Sequence, residues 1–266
     1  MAVLRIAGDF VLRQAKSSIF AIGLLVAMGF VNLLPDLPIA RYDLLFLFCL
    51  LIQGAMLAMR LETWREVGIL AIFHAVGVIL EGFKVRSGSW SYPEPALLKA
   101  YGVPFYSGFM YAAVASYMSQ SWRRLDLEFI RWPRPVASGF VLMVVYGQFF
   151  LPVQTLNVRF VALLIVATIF WRTRVAFSSG GERLTMPLPV SFVLIGSCIY
   201  VAENIATYFG AWTYPHQTGS WQPVHVSKVI SWTLLMVVSL AIVHAYHRWF
   251  IIPRVKTMGV STAHNE

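Results

Sequence analysis

The sequence predicts an all-α fold, a polytopic membrane helical bundle of about eight transmembrane helices arranged as two parallel four-helix repeats. Three observations predict it. Hydrophobic residues make up 58% of the 266-residue chain and charged residues 12%, with a mean hydropathy of +0.69, whereas a soluble domain is about half apolar and about a quarter charged. Apolar stretches close to the roughly 20 residues needed to cross a bilayer recur from end to end. The phrase EGFKVRSGSWSYP at 81–93 returns as ENIATYFGAWTYP at 203–215.

Taken in order, residues 1–16 read as a short amphipathic lead without the cleavage site of a signal peptide. Spans follow at 17–35, 42–59, 67–84, 103–121, 135–152, 157–172, 188–209 and 224–247. The breaks carry Pro35 and Pro38, Arg60 to Glu66, Pro93 and Pro95, Trp122 to Pro135, Pro152 to Asn157, and Thr173 to Pro187, the residue types expected of interhelical connections. None is long enough to bury a core of its own. The whole chain, 1–266, is therefore expected to be one integral membrane domain with repeat halves at about 17–121 and 135–247.

Fifteen lysines and arginines fall on the side of the N-terminus and six on the other. By the positive-inside rule both termini face the cytoplasm of a cell (inner) membrane. The formal charge of +9 follows from that bias. It points to membrane lipids as partners, with Arg123, Arg124, Arg131 and Arg134 meeting anionic head groups, and not to nucleic acid. Cys49 and Cys198 lie inside spans and read as small packing residues.

Aligning the two phrases pairs Glu81 with Glu203, Gly88 with Gly210, Trp90 with Trp212, Tyr92 with Tyr214 and Pro93 with Pro215, all at an offset of 122 residues. An even number of spans per repeat keeps the halves parallel, so both phrases emerge on the same, non-cytoplasmic side. The corner itself follows from local chemistry. Gly ends a helix with positive φ, Trp and Tyr suit the head-group level, and Pro forbids continuation.

The glutamates need another reason. Ten of the twelve acidic residues fall in connections, tails or span edges; Glu81 and Glu203 do not. A charge near the bilayer centre costs about 2.5 kcal/mol or more, so such residues face the bundle interior and mark function. Glu81 and Glu203 are the candidate catalytic acids. His74, seven residues before Glu81 and so on its helix face, joins them. Trp90, Tyr92, Asn204, Trp212, Tyr214, His225 and Lys228 are candidate substrate-binding residues around a polar pocket open to the outside, with Lys84 and Thr207 nearby. The plainer alternative is a pair of neutral acids tying helices together by hydrogen bonds. His74, Glu81, Glu203 and His225 lack a tight metal-ligand motif, so no metal is assigned. The sequence names no cofactor, and it has neither a glycine-rich phosphate loop nor a nucleophile elbow.

GSWSYPE (88–94), GVPFYSGFMYAAVASY (102–117) and EN-x-x-T-x-x-GAWTYPHQ (203–217) resemble the hallmarks of a bacterial family of multi-spanning membrane proteins catalogued as a domain of unknown function. The resemblance covers most of the chain and implies topology without an activity. More remotely, Glu81, Gly88, Trp90, Tyr92, Val103 and Pro104 are similar to the intramembrane acid, aromatic corner and Val-Pro helix start of the helical carotenoid cyclases and hydratases. Where the cyclases carry Pro-x-Glu-Glu, this chain has Pro104-Phe105-Tyr106-Ser107. That likeness implies an enzyme acting on a lipid or isoprenoid, in which Glu81 or Glu203 gives a proton to a hydrophobic small-molecule substrate and aromatic rings stabilise the cation. Parallel repeats with paired intramembrane acids also suit a proton-coupled transporter of a small solute. A non-catalytic scaffold is the third expectation.

Overall fold

The computed structural model describes residues 2–34, 38–151 and 156–246. Pro35 and Pro152 of the expected breaks, the last residue of the expected final span, and the basic residues Arg248, Arg254 and Lys256 lie outside them.

The described residues form nine α-helices: α1 (Ala2–Ser17), α2 (Ile19–Leu33), α3 (Arg41–Ala58), α4 (Trp64–Arg86), α5 (Tyr106–Leu125), α6 (Pro135–Gln148), α7 (Leu156–Ile169), α8 (Leu188–Tyr208) and α9 (Lys228–Tyr246). The chain is a helical membrane bundle. Four helices, α3, α4, α8 and α9, are long and apolar enough to cross a bilayer, and α1 with α2, bent by 63° between them, make a fifth if counted as one span. The eight expected spans exceed what length and composition carry. α6 and α7 have 14 residues each, about 21 Å of helix against a hydrocarbon layer of about 30 Å. α5 is long enough, but it is not among the apolar four. It buries Ser107, Ser116, Ser119, Gln120 and Ser121 because it packs against α1, α2, α3, α4 and α9. Protein, not lipid, surrounds it.

The α4–α5 contact relies on small residues. A Cβ on Gly108 would stand 2.7 Å from the His74 carbonyl oxygen, and one on Gly77 would stand 2.5 Å from the Tyr111 ring. Close backbone approach through glycine is the usual way for helices to pack tightly in lipid. The main core joins α4 to α9 around Phe73, Ala115, Val141, Val166, Phe192 and Met236. A second core joins α2 and α3 to the two aromatic corners around Met28, Tyr42, Tyr106 and Ala211. Exposed Leu50, Ile79, Leu194 and Val201 leave an apolar outer surface.

Each end of the bundle has its own small sheet. At the corner end, β1 (Lys99–Ala100) and β2 (Val103–Pro104) form an antiparallel pair. Asp43 anchors it by accepting from the Leu97 and Leu98 amides at 2.8 and 2.7 Å, while Arg41 pairs with Glu94 at 2.7 Å. At the opposite end, the stretch from Thr173 to Pro187, expected as a plain connection, is a β-hairpin. β4 (Arg174–Ser179) and β5 (Glu182–Pro187) pair in antiparallel register, and β3 (Glu128–Ile130) adds a third strand beside β4. Gly180 and Gly181, at φ +57° and +82°, supply the turn that such two-residue hairpins require. Asp9 of α1 accepts from the Gly180 amide at 2.7 Å and from Arg13 Nε at 2.7 Å, fastening the N-terminal helix to the hairpin tip.

Candidate functional site

Matching helix endings position the two corner phrases. At the end of α4, Gly88 N donates to Val85 O at 3.0 Å and Ser89 N to Lys84 O at 2.9 Å; at the end of α8, Gly210 N donates to Thr207 O at 2.9 Å and Ala211 N to Ala206 O at 3.0 Å. This is the Schellman ending, which needs a left-handed residue just past the cap. Gly88 and Gly210 supply it at φ +69° and +67°. The chains leaving the two caps then meet. Ser91 and Thr213 form an antiparallel bridge, each amide donating to the other's carbonyl at 2.9 Å.

The reversal carries the corner tyrosines back onto the glutamates 11 residues earlier. Tyr92 OH donates to Glu81 Oε2 at 2.7 Å, and Tyr214 OH to Glu203 Oε1 at 2.5 Å. Both carboxyls are buried, at 2% and 3% exposure, so every oxygen needs a partner. Trp90 Nε1 and Tyr111 OH complete Glu81, donating to Oε2 at 2.7 Å and Oε1 at 2.8 Å. Trp232 Nε1 completes Glu203, donating to Oε2 at 2.7 Å. An indole N–H only donates. Oε2 of each glutamate therefore accepts from an indole, while Oε1 lies beside a phenol, that of Tyr111 or Tyr214, which can accept a carboxyl proton as well as donate its own.

Three cations stand around this pair. Lys228 Nζ lies 4.8 Å from the Trp90 ring centre and 4.4 Å from that of Tyr214, a cation–π bridge between the two corners. The Trp90 and Tyr214 rings meet edge-on at 5.8 Å. Lys84, Arg159 and Lys228 share a cavity wall with Glu81 and Glu203. That cavity, of about 730 Å³, extends past Tyr111, Met110 and Ile199 to Phe10, Gln14 and Ile22 of α1 and α2. Apart from its charged end its walls are mostly apolar. Outside the spans, loss of water around Lys99 holds its ammonium below the ordinary lysine pKa, with Glu94 opposing the shift.

Of the residues expected at the site, Glu81, Trp90, Glu203, Trp212, Tyr214 and Lys228 line this cavity. Tyr92 is buried behind Glu81 as its donor. Trp212 occupies the second-phrase position of Trp90, yet the indole that reaches Glu203 is that of Trp232. Three others are placed elsewhere. His74 packs edge-on against Phe109 at 4.6 Å, off the cavity wall. Asn204 is engaged within the protein: its amide donates to Tyr200 O and its carbonyl accepts from Val224 N, both at 2.9 Å. His225 is exposed and bonds Ser227 at 2.8 Å. Tyr111, Trp232 and Arg159 were absent from the expected set. A faint signal existed for two of them, since Tyr111 follows Glu81 by 30 residues and Trp232 follows Glu203 by 29.

Comparison with known proteins places the chain among helical membrane proteins. Residues 7–240 match the family described as "Protein of unknown function (DUF817)". The chain is 44% identical over 230 residues to the uncharacterized protein YoaT of Bacillus subtilis (strain 168), covering 86% of this chain and 87% of that protein. In fold it is similar to a mycobacterial Insig homolog, MvINS from Mycobacterium vanbaalenii, with a TM-score of 0.51 at 14% identity over 73% of this chain and 98% of that one. A cross-linked trimer of MvINS gives a TM-score of 0.50 at 13% identity, with the same coverage.

Proposed function

The chain belongs to the family described as "Protein of unknown function (DUF817)", and from its cavity we propose that it takes up a lipid- or isoprenoid-like small molecule within the membrane and acts on it by acid–base chemistry at Glu81 and Glu203. One observation carries this reading. A mostly apolar cavity of about 730 Å³ ends on both carboxyls, and each carboxyl holds one oxygen against a phenol that also lines the wall. The size suits a small-molecule site. A proton held on Oε1 can pass to or from the cavity contents, directly or through the phenol, while the Tyr111 and Trp232 rings on the cavity wall serve a developing positive charge, the Trp90 and Tyr214 rings being engaged by Lys228.

The likeness of the two corners supports a duplicated fold and the pairing of the two acids. The corners share their caps, their Tyr–Glu bonds and their offset, and they bond to each other through the equivalent residues Ser91 and Thr213. This likeness of the corners supports repeat halves at about 17–121 and 135–247. The proposed orientation puts the end bearing Arg60, Arg65, Arg123, Arg124 and Arg131 in the cytoplasm of the cell membrane, and the aromatic corners outside.

A second reading, proton-coupled transport, draws on the reach of the cavity, whose walls include Gln14 at the hairpin end and Trp90 at the corner end. Mass spectrometry of molecules retained by the protein in native lipid particles tests the first reading. The wild-type protein is expected to retain a species that a Glu81→Gln, Glu203→Gln double variant of equal folding lacks. Identical profiles, both matching bulk membrane lipid, overturn the binding role. Proton-dependent solute uptake into vesicles would shift the assignment to transport.

A further inference from the structure

Positive charge at the deep end of the cavity exceeds what the two glutamates answer. Lys84, Arg159 and Lys228 line the cavity together with both acids, three basic groups against two carboxyls. Yet the carboxyl oxygens are occupied by indole and phenol donors. Among the described residues none of the three cations forms an ion pair with either glutamate. Lys84 is 5% exposed; its ammonium lies 5.7 Å from the Phe83 ring centre and has no ion pair among the described residues. Among the described residues the Lys228 ammonium is faced by the Trp90 and Tyr214 rings and has no ion pair. Ser231, one helical turn beyond Lys228, also lines the cavity, and its buried hydroxyl has no partner.

Lys84 is buried and Arg159 and Lys228 are half-buried, so basic groups facing a mostly apolar cavity without an acceptor among the described residues favour a ligand that supplies one. A single aqueous anion would fill the donors but not the apolar length beyond them. We infer that Lys84, Arg159, Lys228 and Ser231 form the head-group site for a single-chain lipid bearing an anionic carboxylate or phosphate, whose hydrocarbon runs along the cavity toward Ile22. The inference rests on the lipid-binding reading above and specifies its ligand class. A cavity of about 730 Å³ lies within the range for one small ligand, about 300–1,000 Å³, which favours one chain over a two-chain phospholipid.

The test is photolabelling of the purified full-length protein, in neutral detergent, with a diazirine-bearing hexadecanoic acid and with its methyl ester. The acid is expected to label saturably, with the ester weaker on the order of tenfold, the effect of losing a charge-assisted hydrogen bond. Lys228→Met and Lys84→Met, which keep the apolar stems, are expected to weaken acid labelling by a similar factor and leave ester labelling unchanged. Thermal unfolding would establish that both variants fold, and the acid–ester contrast on wild-type protein stands without them. Unlabelled hexadecyl phosphate and hexadecanoate, as competitors, assign the head group. Displacement by either supports the site. Equal, saturable labelling by acid and ester overturns the anionic site and leaves the apolar cavity reading intact. Labelling that excess unlabelled lipid does not displace overturns both.

Discussion

Ser91 and Thr213, at equivalent positions of the two aromatic corners, exchange a pair of 2.9 Å backbone hydrogen bonds. Residues so paired in an antiparallel bridge have Cα atoms about 5.5 Å apart, within the span of a disulfide. A Ser91→Cys, Thr213→Cys variant, in a background lacking the exposed Cys198, is therefore expected to close an intramolecular disulfide under mild oxidation. A mobility shift on non-reducing gels that disappears with reductant checks it; failure to cross-link in folded protein would mean that the corners do not meet.

Glu81 accepts three donors; a glutamine with its oxygen at the Oε2 position keeps the Trp90 and Tyr92 bonds and can donate its NH2 to the Tyr111 oxygen, while an alanine retains none. Glu81→Ala is expected to destabilise the protein by about 3 kcal/mol or more, because buried donors left unpaired carry their full desolvation penalty. Glu81→Gln should cost about 1 kcal/mol, the scale of one altered hydrogen bond. Chemical unfolding in detergent would separate the two. Equal losses would show that the donors do not depend on this side chain.

Gly88 and Gly210 share a left-handed conformation but not their surroundings. Nothing lies within 4 Å of a Cβ placed on Gly88, whereas one on Gly210 would stand 3.3 Å from the Arg41 guanidinium, which also bonds Glu94 and the Phe209 carbonyl. Gly88→Ala should cost about 1–2 kcal/mol from backbone conformation alone, and Gly210→Ala more. Thermal melts of the two variants test the order.

Gly108 presents a different constraint, because the His74 backbone blocks its side-chain direction. Gly108→Ala is expected to force α4 from α5 and lose about 1–3 kcal/mol, the usual cost of overfilling a packed contact. A variant as stable as wild type would show that the two helices are not in contact there.

The long apolar helices were legible in the sequence. Expected spans at 42–59, 67–84, 188–209 and 224–247 correspond to Arg41–Ala58, Trp64–Arg86, Leu188–Tyr208 and Lys228–Tyr246, since charged or turn-forming residues bound each apolar run. The hairpin at 174–187 was missed because its strands do not alternate cleanly, although the Gly180-Gly181 pair is a turn signal of its own. At the site, scarcity singled out Glu81 and Glu203. Tyr111, Trp232 and Arg159 come from helices that only tertiary packing brings to the acids, and no local pattern marks them. His74 shares a helix with Glu81, but seven residues separate them, about 10 Å along the axis, and Phe109 covers it.

The polar character of α5 bears on how the bundle is made as well as on how it stands. A segment with four serines and Gln120, ending in Arg123 and Arg124 before Leu125, has little affinity for hydrocarbon when it leaves the ribosome, so lipid alone does not hold it across the bilayer. Its closest partner, α4, is strongly apolar and is synthesised just before it. The two are expected to enter the membrane as one hairpin, with α5 becoming a stable transmembrane element only after α4 has shielded its polar face.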